Sequence, residues 1–444
     1  MKRAKTINPA RAMAAGFIGL IITGSLLLSL PAARVTGELS YIDALFTAAS
    51  AVCVTGLVVV DTGSFYSLFG QIIIMVLIFF GALGFMTMTT LIFIFLGRRI
   101  TLRRSLIIKE ILGQESIGRI SQLVLNVFLM TLFFVLVGTI LLSVRYAPQL
   151  GLQQGFFVAL FHAVSAFGNA GFDLLGGYNS LTINPVDYLV NGTILVLFTV
   201  GGLGFTVIME LVDRLQFRQR LSLHSHLVLF SSATLLLGGT LMILALEYNN
   251  PETLGGFSFL NKVFTAFFSA ATPRTAGFSV LRTELMNHST LLVIMALMFI
   301  GASPTSTGGG VKTTTVGVVF ITLVNLIKGR REPVVYYRRF PLYQIMRAVS
   351  IITAAIILVF ITTLLLTIFE DRDFIALLFE SISAFGTVGL STGITPQLSN
   401  PSKLVIIFTM LSGRIGPLSL LIALAWRKEE DVLLRYPEEN IMIG

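Results

Sequence analysis

Charge is what this chain has least of. Of its 444 residues only 12% are Asp, Glu, Lys or Arg, against about 25% in a soluble domain. So few charges cannot cover a water-facing surface, and a mean hydropathy of +0.88 places the chain in lipid. Cysteine is nearly absent too. Cys53 stands alone, so no intrachain disulfide can form and the redox compartment stays open. With one cysteine and four histidines, little is left for a metal centre. HExxH, a Ser-His-Asp constellation and a carboxylate pair inside an apolar run are all missing, which argues against an enzyme. A nucleic-acid role is excluded by where the basic residues fall. The formal charge is +9, but Lys and Arg lie between apolar runs, as the positive-inside rule expects of a membrane protein.

What the chain does have is apolar length, 55% of it being hydrophobic. It reads as an all-α, multi-pass membrane protein. The N-terminus, MKRAKTINPARAM, is basic and leads into an apolar run. A cleaved signal peptide is the rival reading, disfavoured because the run continues through Leu26 to Pro31 and into the first of four repeats.

The repeat is clearest at 379–390, FESISAFGTVGL. It recurs as FTAASAVCVTGL at 46–57, FHAVSAFGNAGF at 161–172 and FFSAATPRTAGF at 267–278. A Phe stands ten residues before a Gly in each: Phe46, Phe161, Phe267 and Phe379 before Gly56, Gly171, Gly277 and Gly389. Six before the glycine the residue is small (Ser50, Ser165, Ala271, Ser383). The glycines lie 115, 106 and 112 residues apart, so one unit is about a quarter of the chain.

Each unit reads as span, short helix, turn, span. The units are 1–97, 98–213, 214–328 and 329–444, the last with a C-terminal tail. The spans fall at 14–30 and 70–96, 123–144 and 188–212, 227–246 and 291–327, and 345–369 and 403–426. The short helices cannot cross a bilayer. They must be re-entrant, because irregular backbone at membrane depth survives only inside protein or beside water. Eight transmembrane helices and four re-entrant pore helices around one pore are therefore expected. Of the 31 basic residues, 22 fall in the tails and loops on one face. That face is cytoplasmic and holds both termini, and the turns open outward.

The turns are Val54-Thr55-Gly56, Asn169-Ala170-Gly171, Thr275-Ala276-Gly277 and Thr387-Val388-Gly389. Thr-Val-Gly begins the potassium-channel filter sequence, in which backbone carbonyls replace the ion's water. Four such turns supply several oxygen dipoles at close range. A second feature follows downstream: Gly81-Ala82-Leu83-Gly84, Gly201-Gly202-Leu203-Gly204 and Gly413-Arg414-Ile415-Gly416. Small residues there permit close helix packing. The third unit has Gly301-Ala302-Ser303-Pro304 and then TSTGGGVKTTT, so only its second span is expected to break. Gly301, Ser303, Pro304, Gly308, Gly309, Gly310 and Lys312 make this a candidate gate loop below the filter; the alternative is an ordinary kink. The Lys lacks the glycine directly before it that a phosphate loop demands. Arg414 is an intramembrane charge, functional by default, and is expected to hold the loop through its carbonyls. Asp61, Asp173, Glu247, Glu370, Asp371 and Asp373 sit near outer span ends, where they attract cations or merely mark the interface. His162 and Glu380 share one position in two short helices.

These features together resemble the Trk/Ktr/HKT superfamily of potassium transporters over nearly the whole chain, and the Ktr-type membrane subunit in particular. The resemblance implies that Gly56, Gly171, Gly277 and Gly389 are the filter glycines, that 301–315 is the gate, and that Arg414 faces it. All four filter glycines are present, unlike in some plant members with a serine in the first filter. It implies a homodimer, a cytosolic ring of nucleotide-binding regulatory subunits as partner, and potassium as substrate. Some such systems need sodium, for which no site is legible. No cofactor is expected in this chain. Basic loops at 97–119 and 328–347 and the C-terminal tail are the expected docking surface. A secondary transporter of another solute, built on symmetry-related broken helices, is the competing reading.

Overall fold

The computed structural model describes residues 9–35, 37–84, 87–88, 90–91, 120–218, 220–330, 333–335 and 338–424. The basic loop 97–119, the C-terminal tail and the first basic residues lie outside these. The first quarter holds α1 (Pro9–Leu28), α2 (Tyr41–Val52) and α3 (Leu68–Leu83). The second holds α4 (Ile120–Leu150), α5 (Leu152–Gly168), α6 (Tyr188–Leu203) and α7 (Phe205–Phe217). The third holds α8 (Leu223–Glu247), α9 (Phe259–Ala271), α10 (His288–Phe299) and α11 (Thr313–Ile327). The fourth holds α12 (Leu342–Phe369), α13 (Phe374–Gly386), α14 (Asn400–Ile415) and α15 (Pro417–Leu424). Between α11 and α12 a two-residue ribbon pairs Val334–Val335 with Arg338–Arg339.

Helices α1, α4, α8 and α12 are long and apolar enough to cross a bilayer. The pairs α6–α7 and α14–α15 each pass as a span but bend by 99°. Among the described residues that makes up to six spans by length and composition, where eight are expected of the whole chain. The difference lies in the other two second spans. Helix α3 stops at Leu83, and α10 and α11 are separated by an irregular loop.

The expectation that only the third second span is broken is corrected. Gly84, Gly204 and Gly416 end α3, α6 and α14 with φ of +78°, +95° and +95°. Glycine alone adopts such angles without a Cβ penalty, and a helix cannot continue through them. The second glycine of each G-x-x-G is therefore a stop. The first glycine has another task. A methyl on Gly81, Gly201 or Gly413 would collide with the carbonyl oxygen of Val52, Phe167 or Phe385, at or beside the C-terminus of α2, α5 or α13. The bare backbone lets each second span rest directly on its short helix. In the third quarter the loop takes that place, and a methyl on Gly301 would meet the Gly309 carbonyl instead.

The short helices carry the core. Phe46, Phe161 and Phe379, three of the repeated phenylalanines, are fully buried. Ser40 caps α2 and Asp373 caps α13 by accepting from first-turn amides. Several outer acids also prove structural. Glu247, fully buried, accepts from Thr253 Oγ1, Thr290 Oγ1, Asn250 Nδ2 and the Asn287 amide. Glu370 accepts from the Ser399 amide at 2.7 Å. Buried Asn191, whose sequence matches a glycosylation pattern, spends its amide on the carbonyls of Asn184 and Pro185.

The fourth quarter is tied back to the first by charge. Lys403 Nζ, near the start of α14, lies 2.6 Å from Asp43 Oδ1 in the first turn of α2. Both side chains are largely buried, and removing one partner leaves the other charge uncompensated, at a cost of about 3 kcal/mol. Lys403→Met should therefore lower the thermal unfolding midpoint of the detergent-purified protein by several degrees, and Asp43→Asn with Lys403→Met should recover part of the loss. An unchanged midpoint in the single variant would show that the pair does not close the ring of quarters.

Candidate functional site

The four turns meet. A methyl built on Gly56 would stand 3.1 Å from the Gly171 Cα, and one on Gly171 would stand 2.9 Å from the Gly277 Cα. One on Gly277 would strike the Val388 carbonyl, and one on Gly389 would stand 3.0 Å from the Gly56 Cα. The contacts run from first quarter to second, third, fourth and back, so the ring is closed. All four glycines have positive φ, from +69° to +92°.

The first residue of each triplet is left-handed as well: Val54 at +56°, Asn169 at +58°, Thr275 at +71° and Thr387 at +50°. This conformation is costly for β-branched residues and persists only where surroundings impose it. Here the helix ends impose it. The amides of Thr55, Ala170 and Val388 donate to carbonyls five residues back, at Ser50, Ser165 and Ser383. In the third quarter Ala276 donates only four back, to Thr272. The third repeat is thus one residue tighter than the sequence alignment implies. Thr272, not Ala271, matches the small residue, and fully buried Phe268, not Phe267, matches the phenylalanine. The hydroxyls at this position hold the turns. Ser50 and Ser383 accept from the amides of Gly56 and Gly389, while Ser165 and Thr272 donate to the carbonyls of Phe172 and Phe278.

On one side the ring opens into a cavity of about 550 Å³, lined by all four glycines and by Asp61, Asp173, Arg282 and Glu284. On the other side lies the loop between α10 and α11. Thr307 Oγ1 donates to Asn169 Oδ1 at 2.8 Å, Asn169 Nδ2 to Thr275 Oγ1 at 3.3 Å, and the Gly309 amide to Thr387 Oγ1 at 3.1 Å. Methyls on Gly308 and Gly309 would strike the hydroxyls of Thr275 and Thr387. The glycine run is needed because the loop lies against the underside of the ring.

The loop also answers the helix breaks. A helix end leaves its last carbonyls without intrahelical partners. The amides of Ser303 and Thr307 donate to Gly202 and Gly201, at the end of α6, and Gly310 donates to Gly413, at the end of α14. Arg414 donates to the loop carbonyl of Thr307 and to the carbonyls of Gly81 and Ala82, at the end of α3. The expectation that its bonds go to the loop is thus met once; its other bonds reach the first quarter. Lys312 Nζ donates to Gly308 at 2.6 Å and folds the loop on itself. Gly301, Ser303 and Gly308 to Gly310 are buried, and Pro304 is half-buried. All twelve triplet residues and the loop residues singled out in the sequence are therefore assembled in one place.

His162 and Glu380 both lie behind this ring, fully buried. Sequence reasoning missed the left-handed first residues, since nothing about Val or Thr advertises a positive φ.

A family model for TrkH, described as a cation transport protein, matches residues 2–436. Ktr system potassium uptake protein B of Bacillus subtilis (strain 168) is 42% identical over 437 residues, which cover 98% of this chain and 97% of that protein. The protein of the same name in Vibrio alginolyticus is 40% identical over 432 residues, covering 96% of this chain and 93% of that one. The solved structure of the potassium transporter TrkH from Vibrio parahaemolyticus matches with a TM-score of 0.74 and 19% identity, covering 96% of this chain and 88% of that chain. At that identity the likeness is one of fold. The apolar helices and the match along nearly the whole sequence make this chain a multi-pass membrane protein of the TrkH family of cation transport proteins.

Proposed function

We propose that the chain is the potassium-translocating membrane subunit of a potassium uptake system, with four units at 1–97, 98–213, 214–328 and 329–444. The observation that carries this is the closed ring of glycine turns. Its four turns pack backbone against backbone, and a ring of backbone carbonyls suits a bare cation as cargo. Carbonyls of the triplets would replace the ion's water. Helices α2, α5, α9 and α13 end toward the ring, so the negative ends of their dipoles favour a cation there. The names of the relatives, both potassium uptake proteins, support the same substrate. They also name a Ktr system, which fits a regulatory partner: cytosolic nucleotide-binding subunits docked on the basic loops and tail of a homodimer. The charge bias supports cytoplasmic termini, with the cavity facing outward. Breaks in the other second spans remove one argument against a rocking solute transporter, but four glycine turns meeting in one ring favour an ion.

The loop is the gate in this reading. It lies under the ring, and an ion leaving the ring must displace it. Arg414 holds it shut from the fourth quarter while gripping the first.

Two measurements in liposomes of the purified protein test these assignments. Gly171→Ser and Gly389→Ser each force a Cβ into the ring at positive φ. Each should lower the ratio of potassium to sodium uptake by about tenfold, which is ~1.4 kcal/mol of discrimination. A wild-type ratio in both variants would refute the filter. Arg414→Ala removes charge-assisted hydrogen bonds worth about 1.5–3 kcal/mol. Potassium flux should rise roughly tenfold or more through a shifted closed–open balance, and deletion of 303–313 should raise it too. Flux at or below the wild-type level in both folded variants would show that the loop is not the gate.

A further inference from the structure

At the position nine residues before the filter glycine, the side chains do one thing in three quarters. Thr47, in α2, accepts from the Tyr66 hydroxyl at 3.1 Å. His162, in α5, has Nδ1 on the Val158 carbonyl at 2.8 Å, and a carbonyl only accepts, so Nδ1 carries the proton. Nε2 is then an acceptor and faces the Leu174 amide at 3.5 Å. Glu380, in α13, accepts from Thr395 Oγ1 at 2.5 Å and from Ser391 Oγ at 2.9 Å. Tyr66, Leu174, Ser391 and Thr395 lie on the chain after their turns, so these contacts tie each segment back to its short helix.

Glu380 is the strongest of the three. It is fully buried, and no Lys or Arg pairs with it among the described residues. Its partners Ser391 and Thr395 stand two and six residues beyond Gly389 and line the outer cavity. Ser391 in turn accepts from the Gly393 amide at 3.0 Å, so one carboxylate fixes the whole bend from Gly389 to Thr395. Burying a carboxylate without a cation is costly unless its oxygens are hydrogen-bonded. A leucine of similar size would pack there without that cost. The carboxylate's two bonds point to a positioning role.

We propose that Glu380 is a specificity-determining positioning residue: it anchors the segment beyond the fourth turn and so holds the carbonyls around Gly389 at the spacing that favours one ion over another. This rests on the ring acting as the ion filter. The mechanism is hydrogen bonding, because both carboxylate oxygens are engaged by hydroxyl donors.

The test measures potassium and sodium uptake, and the reversal potential under mixed-ion gradients, with the full chain in liposomes. Glu380→Leu should lower the potassium-to-sodium ratio by roughly tenfold, and Thr395→Val, which removes one donor at nearly constant volume, by a few-fold. Glu380→Gln keeps an acceptor and adds a donor, and should restore most of the ratio. A general packing defect would instead lower uptake of both ions together and leave the reversal potential in place. A wild-type ratio in Glu380→Leu, or a ratio in Glu380→Gln as low as in the leucine variant, would overturn the proposal. If Glu380→Leu does not fold, Thr395→Val and Glu380→Gln decide it by the same criteria. Wild-type protein that fails to prefer potassium would instead overturn the filter reading itself.

Discussion

Polar backbone held at membrane depth must find its partners inside the protein. The four short helices end in turns buried inside the protein, and every later feature follows from closing their ends. The amides of the turns fold back on carbonyls of α2, α5, α9 and α13, which forces two left-handed residues into each turn. The second spans then approach the ends of α2, α5 and α13 so closely that only Gly81, Gly201 and Gly413 fit. Those spans stop three residues later, at Gly84, Gly204 and Gly416, and expose carbonyls of their own. The amides of the loop and the guanidinium of Arg414 take up those carbonyls. The ring, the breaks and the loop are one hydrogen-bonded system.

This explains what the sequence could and could not disclose. Gly56, Gly171, Gly277 and Gly389 were legible because glycine is the residue that such a turn requires, and four copies in register are hard to reach by chance. The loop was legible because Pro304 and three consecutive glycines cannot continue a helix. The breaks at Gly84, Gly204 and Gly416 were hidden by the same chemistry. A glycine that packs a helix and a glycine that ends one are the same letter, and apolar residues follow on both sides. The one-residue tightening of the third turn was hidden because Phe267 and Phe268, like Ala271 and Thr272, offer neighbouring candidates for one place. Glu247 read as attracting cations or merely marking the interface, and the tie of Lys403 went unseen, since partners 43 and 360 residues away, at Thr290 and Asp43, leave no local pattern.

The quarters share a plan, but their departures from it are concentrated around the loop. Asn169, Thr275 and Thr387 present polar side chains to the underside of the ring, whereas the first quarter presents Val54, which has no such group. The loop is therefore held at the ring by bonds to quarters two and four, with Thr275 of the third accepting from Asn169. Below the ring it is held by the broken ends of α6 and α14. The first quarter contributes through the carbonyls of Gly81 and Ala82, and what reaches them is Arg414. That one side chain joins the fourth quarter, the loop and the first. A guanidinium suits the task, because its planar fork of donors serves several carbonyls at once, while Lys offers a single point of charge. The loop is thus anchored by backbone and side-chain bonds to the second and fourth quarters and joined to the first through Arg414.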